Sequence, residues 1–181
     1  MSRVGKKIIS LDKNVEVTIN GNQVVVKGPN GTLSMQKLDF VTVNVEPTEI
    51  TIEIENPKDK LQRAMWGTTR SILSNLIQGA STGFTKEIEL NGVGFKMDLQ
   101  GNDLVLNIGF SHQVRLPIPN GVKLTIVKNL ITGTSADKQL LNNFFGNMHE
   151  LKPCDPYKHK GFKFPGRFYI KKVGKKGGKA K

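Results

Sequence analysis

Short stretches of period-two hydrophobicity alternate along the chain with two longer stretches of helical spacing. Val15-Glu16-Val17-Thr18-Ile19 puts its apolar side chains on one face of an extended segment, the pattern of a half-buried strand. Asn20-Gly21 supplies residues that accept positive φ in a two-residue hairpin, and Gln23 to Lys27 returns as the partner strand. Gly28-Pro29-Asn30-Gly31 is a second turn, and further strands are predicted at 32–36, 41–45 and 50–54. Asn56-Pro57 predicts a helix start, with Asn as the cap and Pro at the first helical position, where a missing N–H costs nothing. Leu61, Met65, Thr69, Ile72 and Leu76 fall on one face of that helix, and Gly79 is placed to end it.

The second half repeats this order. Strands are predicted at 86–90, 95–99, 103–108, 114–116 and 122–127, with Gly101-Asn102 as a turn. Ser135 is placed to cap a second helix reaching about His149, with Leu140, Leu141, Phe144, Phe145 and Met148 as its apolar residues; Pro153 stops it. Gly21-Asn22-Gln23-Val24-Val25-Val26 precedes Gly101-Asn102-Asp103-Leu104-Val105-Leu106 by 80 residues, and Leu61 and Gly67 precede Leu140 and Gly146 by 79. The matched order predicts an α+β fold of two tandem, structurally similar domains. Each is a mostly antiparallel β-sheet packed on a helix, and a basic C-terminal extension follows. The boundaries read 1–82, 83–152 and 153–181, the first falling at the small, polar stretch Ala80-Ser81-Thr82-Gly83.

Composition narrows the class. With 37% hydrophobic and 23% charged residues, the chain is too apolar to be wholly disordered. One cysteine excludes a disulfide framework and a cysteine-cluster zinc site. No apolar run suits a signal peptide or a membrane span, so a soluble intracellular protein is expected, and Asn30-Gly31-Thr32 reads as a turn rather than a glycosylation site. The net charge of +12 is unevenly placed: residues 1–7 carry +3, residues 152–181 carry +10, and the stretch between is close to neutral. A neutral body with two cationic ends points to a polyanionic partner, nucleic acid or an anionic membrane face.

The residues offer little for catalysis. His112, His149 and His159 lie in separate elements with no recognisable spacing to a carboxylate pair or to Cys154. His149 reads as a surface residue favoured by the helix dipole, and Cys154 has no nearby signature of a catalytic thiol. Gly92-Val93-Gly94 is followed by a strand, so it is not a dinucleotide fingerprint. The carboxyl-terminal segment carries more. Lys158, Lys160, Lys163 and Arg167 alternate with Tyr157, Phe162, Phe164, Phe168 and Tyr169, cations for phosphates and aromatic faces for unpaired bases. For Phe162 and Phe168 the favoured expectation is burial against the second domain's core, with the cations outward. Lys171, Lys172, Lys175, Lys176, Lys179 and Lys181, spaced by glycines, form a tail too polar to pack alone.

A set of motifs then becomes recognisable in order: Met1-Ser2-Arg3-Val4-Gly5-Lys6-Lys7, Val24-Val25-Val26-Lys27-Gly28-Pro29-Asn30-Gly31, Trp66-Gly67-Thr68-Thr69-Arg70-Ser71, Leu90-Asn91-Gly92-Val93-Gly94-Phe95, Gly109-Phe110-Ser111-His112 and Asp155-Pro156-Tyr157-Lys158-His159-Lys160-Gly161-Phe162. Over nearly its whole length the chain resembles the bacterial large-subunit ribosomal protein six family. The resemblance implies tandem α+β domains and a structural, non-enzymatic role in the large ribosomal subunit with no cofactor and no metal. It also implies binding to 23S-type rRNA near the stalk base and the sarcin–ricin, translation-factor-binding region. Neighbouring large-subunit proteins would be partners and translation factors would lie nearby, without membrane attachment or homo-oligomerisation. The setting implied is the ribosome in the bacterial cytoplasm, an organellar origin staying open.

With the basic–aromatic pattern, the resemblance marks as rRNA-binding Tyr157, Lys158, Lys160, Gly161, Lys163, Lys171, Lys172, Lys175, Lys176, Gly92, Gly94, Ser111 and His112. The sequence departs from the family at His159, usually Gly or Ala, at Phe162, usually aliphatic, at Cys154, usually Pro or Ser, at Ile8, usually Pro, and at Arg167, often acidic. Two alternatives remain. A basic-tailed protein binding anionic membranes would need an amphipathic helix or lipidation site beside the lysines. A nucleic-acid-processing enzyme would need a carboxylate cluster for metals. Neither signal is visible in the tail.

Overall fold

The computed structural model describes residues 3–12 and 14–175. The chain divides into two compact units, one of residues 1–84 with 135–138 and one of 85–134 with 139–181.

The first unit runs β1 (Ile9–Ser10), β2 (Glu16–Asn20), β3 (Gln23–Gly28), β4 (Gly31–Gln36), β5 (Val41–Val45), β6 (Glu49–Ile54) and α1 (Lys60–Ser81). Its strands form two three-stranded sheets, ordered β2-β3-β4 and β1-β6-β5. Period-two alternation sets the inner faces: Val24 and Val26, Val41 and Val43, and Ile50 and Ile52 are buried and share one core with Trp66, Leu73, Ile77 and Ala80 of α1. The β2–β3 hairpin pairs Asn20 with Gln23, so its loop is Gly21-Asn22 rather than the expected Asn20-Gly21. Gly21 alone takes positive φ (59°), because a glycine at the first central position already supplies the twist that a tight hairpin needs.

Three features of the predicted helix change. Its N-cap is Asp59, whose carboxylate accepts the Leu61 N–H at 3.2 Å; Asn56 instead accepts from the Lys58 N–H, closing the turn before the helix. Gly79 does not end it. The helix continues to Ser81, and a Cβ at Gly79 would lie 2.0 Å from the Ala136 carbonyl oxygen, so this glycine serves close approach. The terminating glycine is Gly83 (φ 75°), whose N–H and that of Thr82 both reach the Gln78 carbonyl. The buried stripe is Trp66, Thr69, Leu73, Ile77 and Ala80, so only Thr69 of the predicted face is buried and Leu61 is 63% exposed. Leu73→Ala should therefore cost about 2–5 kcal/mol in urea unfolding and Leu61→Ala less than about 0.5. Equal midpoints for the two variants would contradict this assignment of the helix face.

The second unit is built from β7 (Phe84–Asn91), β8 (Lys96–Gln100), β9 (Asp103–Asn107), β10 (Val114–Pro117), β11 (Val122–Val127), β12 (Leu130–Ser135), α2 (Lys138–Leu151) and β13 (Gly161–Lys163). Its sheets are ordered β10-β9-β8 and β11-β12-β7-β13. This is the first unit's plan repeated, with β7-β12-β11 standing for β1-β6-β5, and the tandem α+β reading holds. The β8–β9 hairpin pairs Gln100 with Asp103 and has Gly101 at φ 61°, matching the β2–β3 hairpin. On α2, Leu141, Phe144, Phe145 and Met148 are buried as expected, Leu140 only partly. Ser135 belongs to β12, and its hydroxyl accepts the Asp137 N–H ahead of the helix. What the second unit adds is β13, a strand from the carboxyl-terminal segment that pairs antiparallel with the edge of β7.

Candidate nucleic-acid interface

The pairing of β13 with β7 begins the site. Gly161 lies opposite Asn91, so the segment 155–161 adjoins the loop Gly92-Val93-Gly94 that leaves β7. The Phe95 ring connects this loop to the one between β9 and β10: a Cβ on Gly92 would lie 2.4 Å from the ring and one on Gly109 3.2 Å. Gly94 (φ 82°) helps turn the first loop outward and leaves Val93 92% exposed. In the second loop Ser111 and His112 are exposed. The His112 ring lies 6.0 Å from that of Phe110, centre to centre, and within 14° of parallel. The Lys152 ammonium sits 5.2 Å from the centre of the Phe110 ring. Through its carbonyl, Lys152 also accepts the Phe162 N–H at 2.9 Å, which brings the second loop back to the segment around Gly161.

That segment is held by its own backbone. Asp155 N–H donates to the Lys160 carbonyl and His159 N–H to the Asp155 carbonyl, each at 2.9 Å. The Asp155 carboxylate accepts the N–H groups of Lys158 (3.0 Å) and Tyr157 (3.3 Å). Those two backbone bonds, Lys158 first, hold its pKa below the ordinary carboxylate value, and the charges of Lys158 and His159 act in the same direction. The lone acid of the segment is thus engaged by the loop and leaves Lys158 and Lys160 outward and exposed, with Tyr157 52% exposed beside them. His159 takes φ 55°, the conformation that a glycine adopts freely, and its Nε2 is buried without a hydrogen-bond partner. Gly161 is at φ 122° and has no room for a side chain, as a Cβ would lie 2.6 Å from both the Lys152 and Pro153 carbonyl oxygens.

Beyond β13 the chain stays attached. Phe164 stacks on His149 (5.1 Å, 22°), and the Lys86 ammonium sits 5.0 Å from the Phe164 ring centre. Burial pushes the Lys86 pKa down, while Asn142 accepts its hydrogen bond at 2.6 Å. His149 is therefore a partly buried stacking partner rather than a free surface residue. The Tyr169 hydroxyl accepts the Phe164 N–H, Lys163 approaches the Tyr169 ring, and Lys172 N–H returns to the Pro156 carbonyl at 3.0 Å. Lys171, Lys172 and Lys175 are exposed along this stretch. Lys176, Lys179 and Lys181 lie outside the described residues. The two phenylalanines expected to bury differ: Phe162 faces the core opposite Leu90 and is fully buried, whereas Phe168 is 86% exposed. Phe162 has a strand to hold it on the sheet; Phe168 follows the Pro165-Gly166 turn, past the last strand.

Of the marked residues, Gly92, Gly94, Ser111, His112, Tyr157, Lys158, Lys160, Gly161, Lys163 and Lys172 are linked by these contacts within the second unit. Phe95 and Phe110, which stand in the recognisable motifs, and Lys152 link the parts of this region without being among the marked residues. Two of these signals are present as aromatics directly beside marked residues, at Gly94-Phe95 and Phe110-Ser111. Chemically the region offers ammonium groups, exposed rings and backbone turns. Burial is the main cause that pushes the Cys154 thiol pKa up, which disfavours its thiolate form. Among the described residues no group of His, Cys, Asp or Glu is arranged to hold a metal ion.

Comparison with known proteins agrees with this arrangement of two halves. The family model described as ribosomal protein L6 matches residues 13–83 and 91–164. The chain is 41% identical over 179 residues to large ribosomal subunit protein uL6 of Dinoroseobacter shibae, covering 97% of this chain and 99% of that protein. It is 40% identical over 179 residues to the protein of the same name from Staphylococcus saprophyticus, covering 98% and 99%. For that of Beijerinckia indica the identity is 40% over 177 residues, covering 97% and 99%. With both halves matched and the likeness running nearly end to end, the chain belongs to the ribosomal protein L6 family.

Proposed function

We propose that the second unit of this chain binds 23S-type rRNA, gripping the RNA backbone through the lysines that surround the Asp155–Gly161 turn. As a member of the L6 family the chain is a structural constituent of the large ribosomal subunit and not an enzyme. The observation that carries the rRNA reading is the convergence on one region of the 92–94 loop, the 109–112 loop, the 155–161 turn and the returning lysine segment. Lysines at fixed positions give affinity and register through phosphates, while the shape of the RNA gives most of the selectivity. The position near the stalk base and sarcin–ricin region, with translation factors close by, rests on the family resemblance alone. So do action as a single copy beside neighbouring ribosomal proteins and a place in cytoplasmic ribosomes. No helix among the described residues is long and apolar enough to cross a membrane.

The full chain carrying Lys158→Glu and Lys160→Glu tests the grip. Its affinity for a large-subunit rRNA transcript should fall, and the log–log salt slope should flatten by roughly 1.5, at ~0.7–0.9 per phosphate contact. Binding indistinguishable from the unaltered chain at three salt concentrations would reject it. Binding of the unaltered chain to anionic vesicles, with none to the transcript, would instead favour a lipid partner.

A further inference from the structure

The Phe110–His112 loop does more than its lysine neighbours require. Phe110 is 41% exposed although the stretch leading to it buries Leu104, Leu106 and Ile108 completely. Its ring and that of His112 lie near-parallel, and the Lys152 ammonium stands over the Phe110 ring. Val93, on the neighbouring loop, is 92% exposed, so the surroundings include a second apolar side chain open to a partner. We propose that Phe110 and His112 form a stacking platform for one unpaired RNA base, and that Lys152 receives the phosphate of the same nucleotide. An aromatic face accepts any base, and the Lys152 ammonium over the Phe110 ring supplies a positive charge beside it for a phosphate. The 109–112 loop is anchored from behind by Phe95, which packs within 3.2 Å of where a Gly109 Cβ would lie, so the platform is held before RNA arrives. A bare surface phenylalanine covered by a lysine stem is the alternative. This proposal rests on the rRNA reading of the second unit and adds to it a base contact, which differs from a phosphate contact in its response to salt.

The test measures affinity of full-length Phe110→Ala, Phe110→Leu, Phe110→Tyr and Lys152→Gln chains for a large-subunit rRNA transcript across a salt series. Stacking is largely insensitive to salt, whereas a phosphate contact is not. Phe110→Ala and Phe110→Leu should each weaken binding roughly 5- to 150-fold with an unchanged salt slope, and Phe110→Tyr should restore most of the loss. Lys152→Gln should lower the slope by ~0.7–0.9. Circular dichroism melting of the variants should coincide with that of the unaltered chain, since Phe110 is largely outside the core. If Phe110→Leu binds as the unaltered chain does, or if Phe110→Ala changes the slope instead of the intercept, the platform does not exist. If the unaltered chain itself fails to bind the transcript, the rRNA reading falls and takes this proposal with it.

Discussion

Gly161→Val is expected to exclude the protein from assembled large subunits, whereas Lys179→Ala competes almost as well as the unaltered chain. Two costs fall on one position. At φ 122° a residue with a Cβ is strained by about 1–3 kcal/mol, and the Cβ would also lie 2.6 Å from two carbonyl oxygens of rigid backbone. One of those oxygens, on Lys152, is the acceptor of the Phe162 N–H, so relieving the clash breaks the bond that seats Phe162 in the core. The expected loss of stability is about 2–5 kcal/mol, at the upper end for a single substitution. Because the clash is at Cβ itself, Gly161→Ala should be nearly as damaging as Gly161→Val. Competition between tagged and untagged chains during subunit reconstitution reads incorporation, and thermal melting reads stability. Full incorporation of Gly161→Ala would show that the loop accommodates a side chain and that its backbone packing does not set the shape.

How far these features could be read from residues alone depends on the distance over which each is determined. The strands at 41–45 and 122–127 have the predicted bounds because local alternation and flanking turns define them. The duplication was visible for the same reason, as two hairpins with glycine turns 80 residues apart. The sequence pattern sets the α1 face off by about one residue: a series begun at Leu61 runs roughly 100° around the helix from the buried stripe through Trp66, Leu73 and Ile77. An indole that hydrogen-bonds the Ile52 carbonyl at 2.7 Å fixes the orientation, and that partner is remote in sequence. β12 was missed because Thr132-Gly133-Thr134 dilutes its alternation, and glycine is there for the ring of Phe145, 2.5 Å from where a Cβ would stand.

The site divides in the same way. Charge and aromatic spacing mark Lys158, Lys160 and Tyr157 without any fold, and a positive φ at Gly161 is foreseeable from glycine in a tight basic segment. What approaches Gly161, however, is the chain's own Lys152 and Pro153 carbonyls. The joining of the 92–94 loop to the 155–161 turn depends on β13 finding the edge of β7, a pairing between distant segments that no local pattern announces. The lysines can be counted from the sequence; their attachment beside the 92–94 loop is a property of that pairing.

Removing residues 171–181 should weaken rRNA binding and flatten its salt dependence while leaving the fold intact. The segment holds Lys171, Lys172, Lys175, Lys176, Lys179 and Lys181 and no acid. If three to five of these approach phosphates, the log–log salt slope should fall by roughly 2–4 units, at ~0.7–0.9 per contact. The difference should be largest at low salt and should vanish near ~0.5 M, where screening shortens the reach of each charge to a few ångströms. Truncation also removes the Lys172 N–H to Pro156 carbonyl bond, a net cost of about 0.5–1.5 kcal/mol at a solvent-exposed position. A small fall in melting temperature is therefore expected, far below that of Gly161→Val. A chain with all six lysines changed to glutamine keeps this backbone bond and should show the same slope change with no fall in melting temperature. The two variants together separate charge from anchoring. Slopes that stay parallel to the unaltered chain in both would mean that these lysines face solvent in the complex, and the grip on the RNA would then lie wholly with Lys158, Lys160 and their neighbours in the turn.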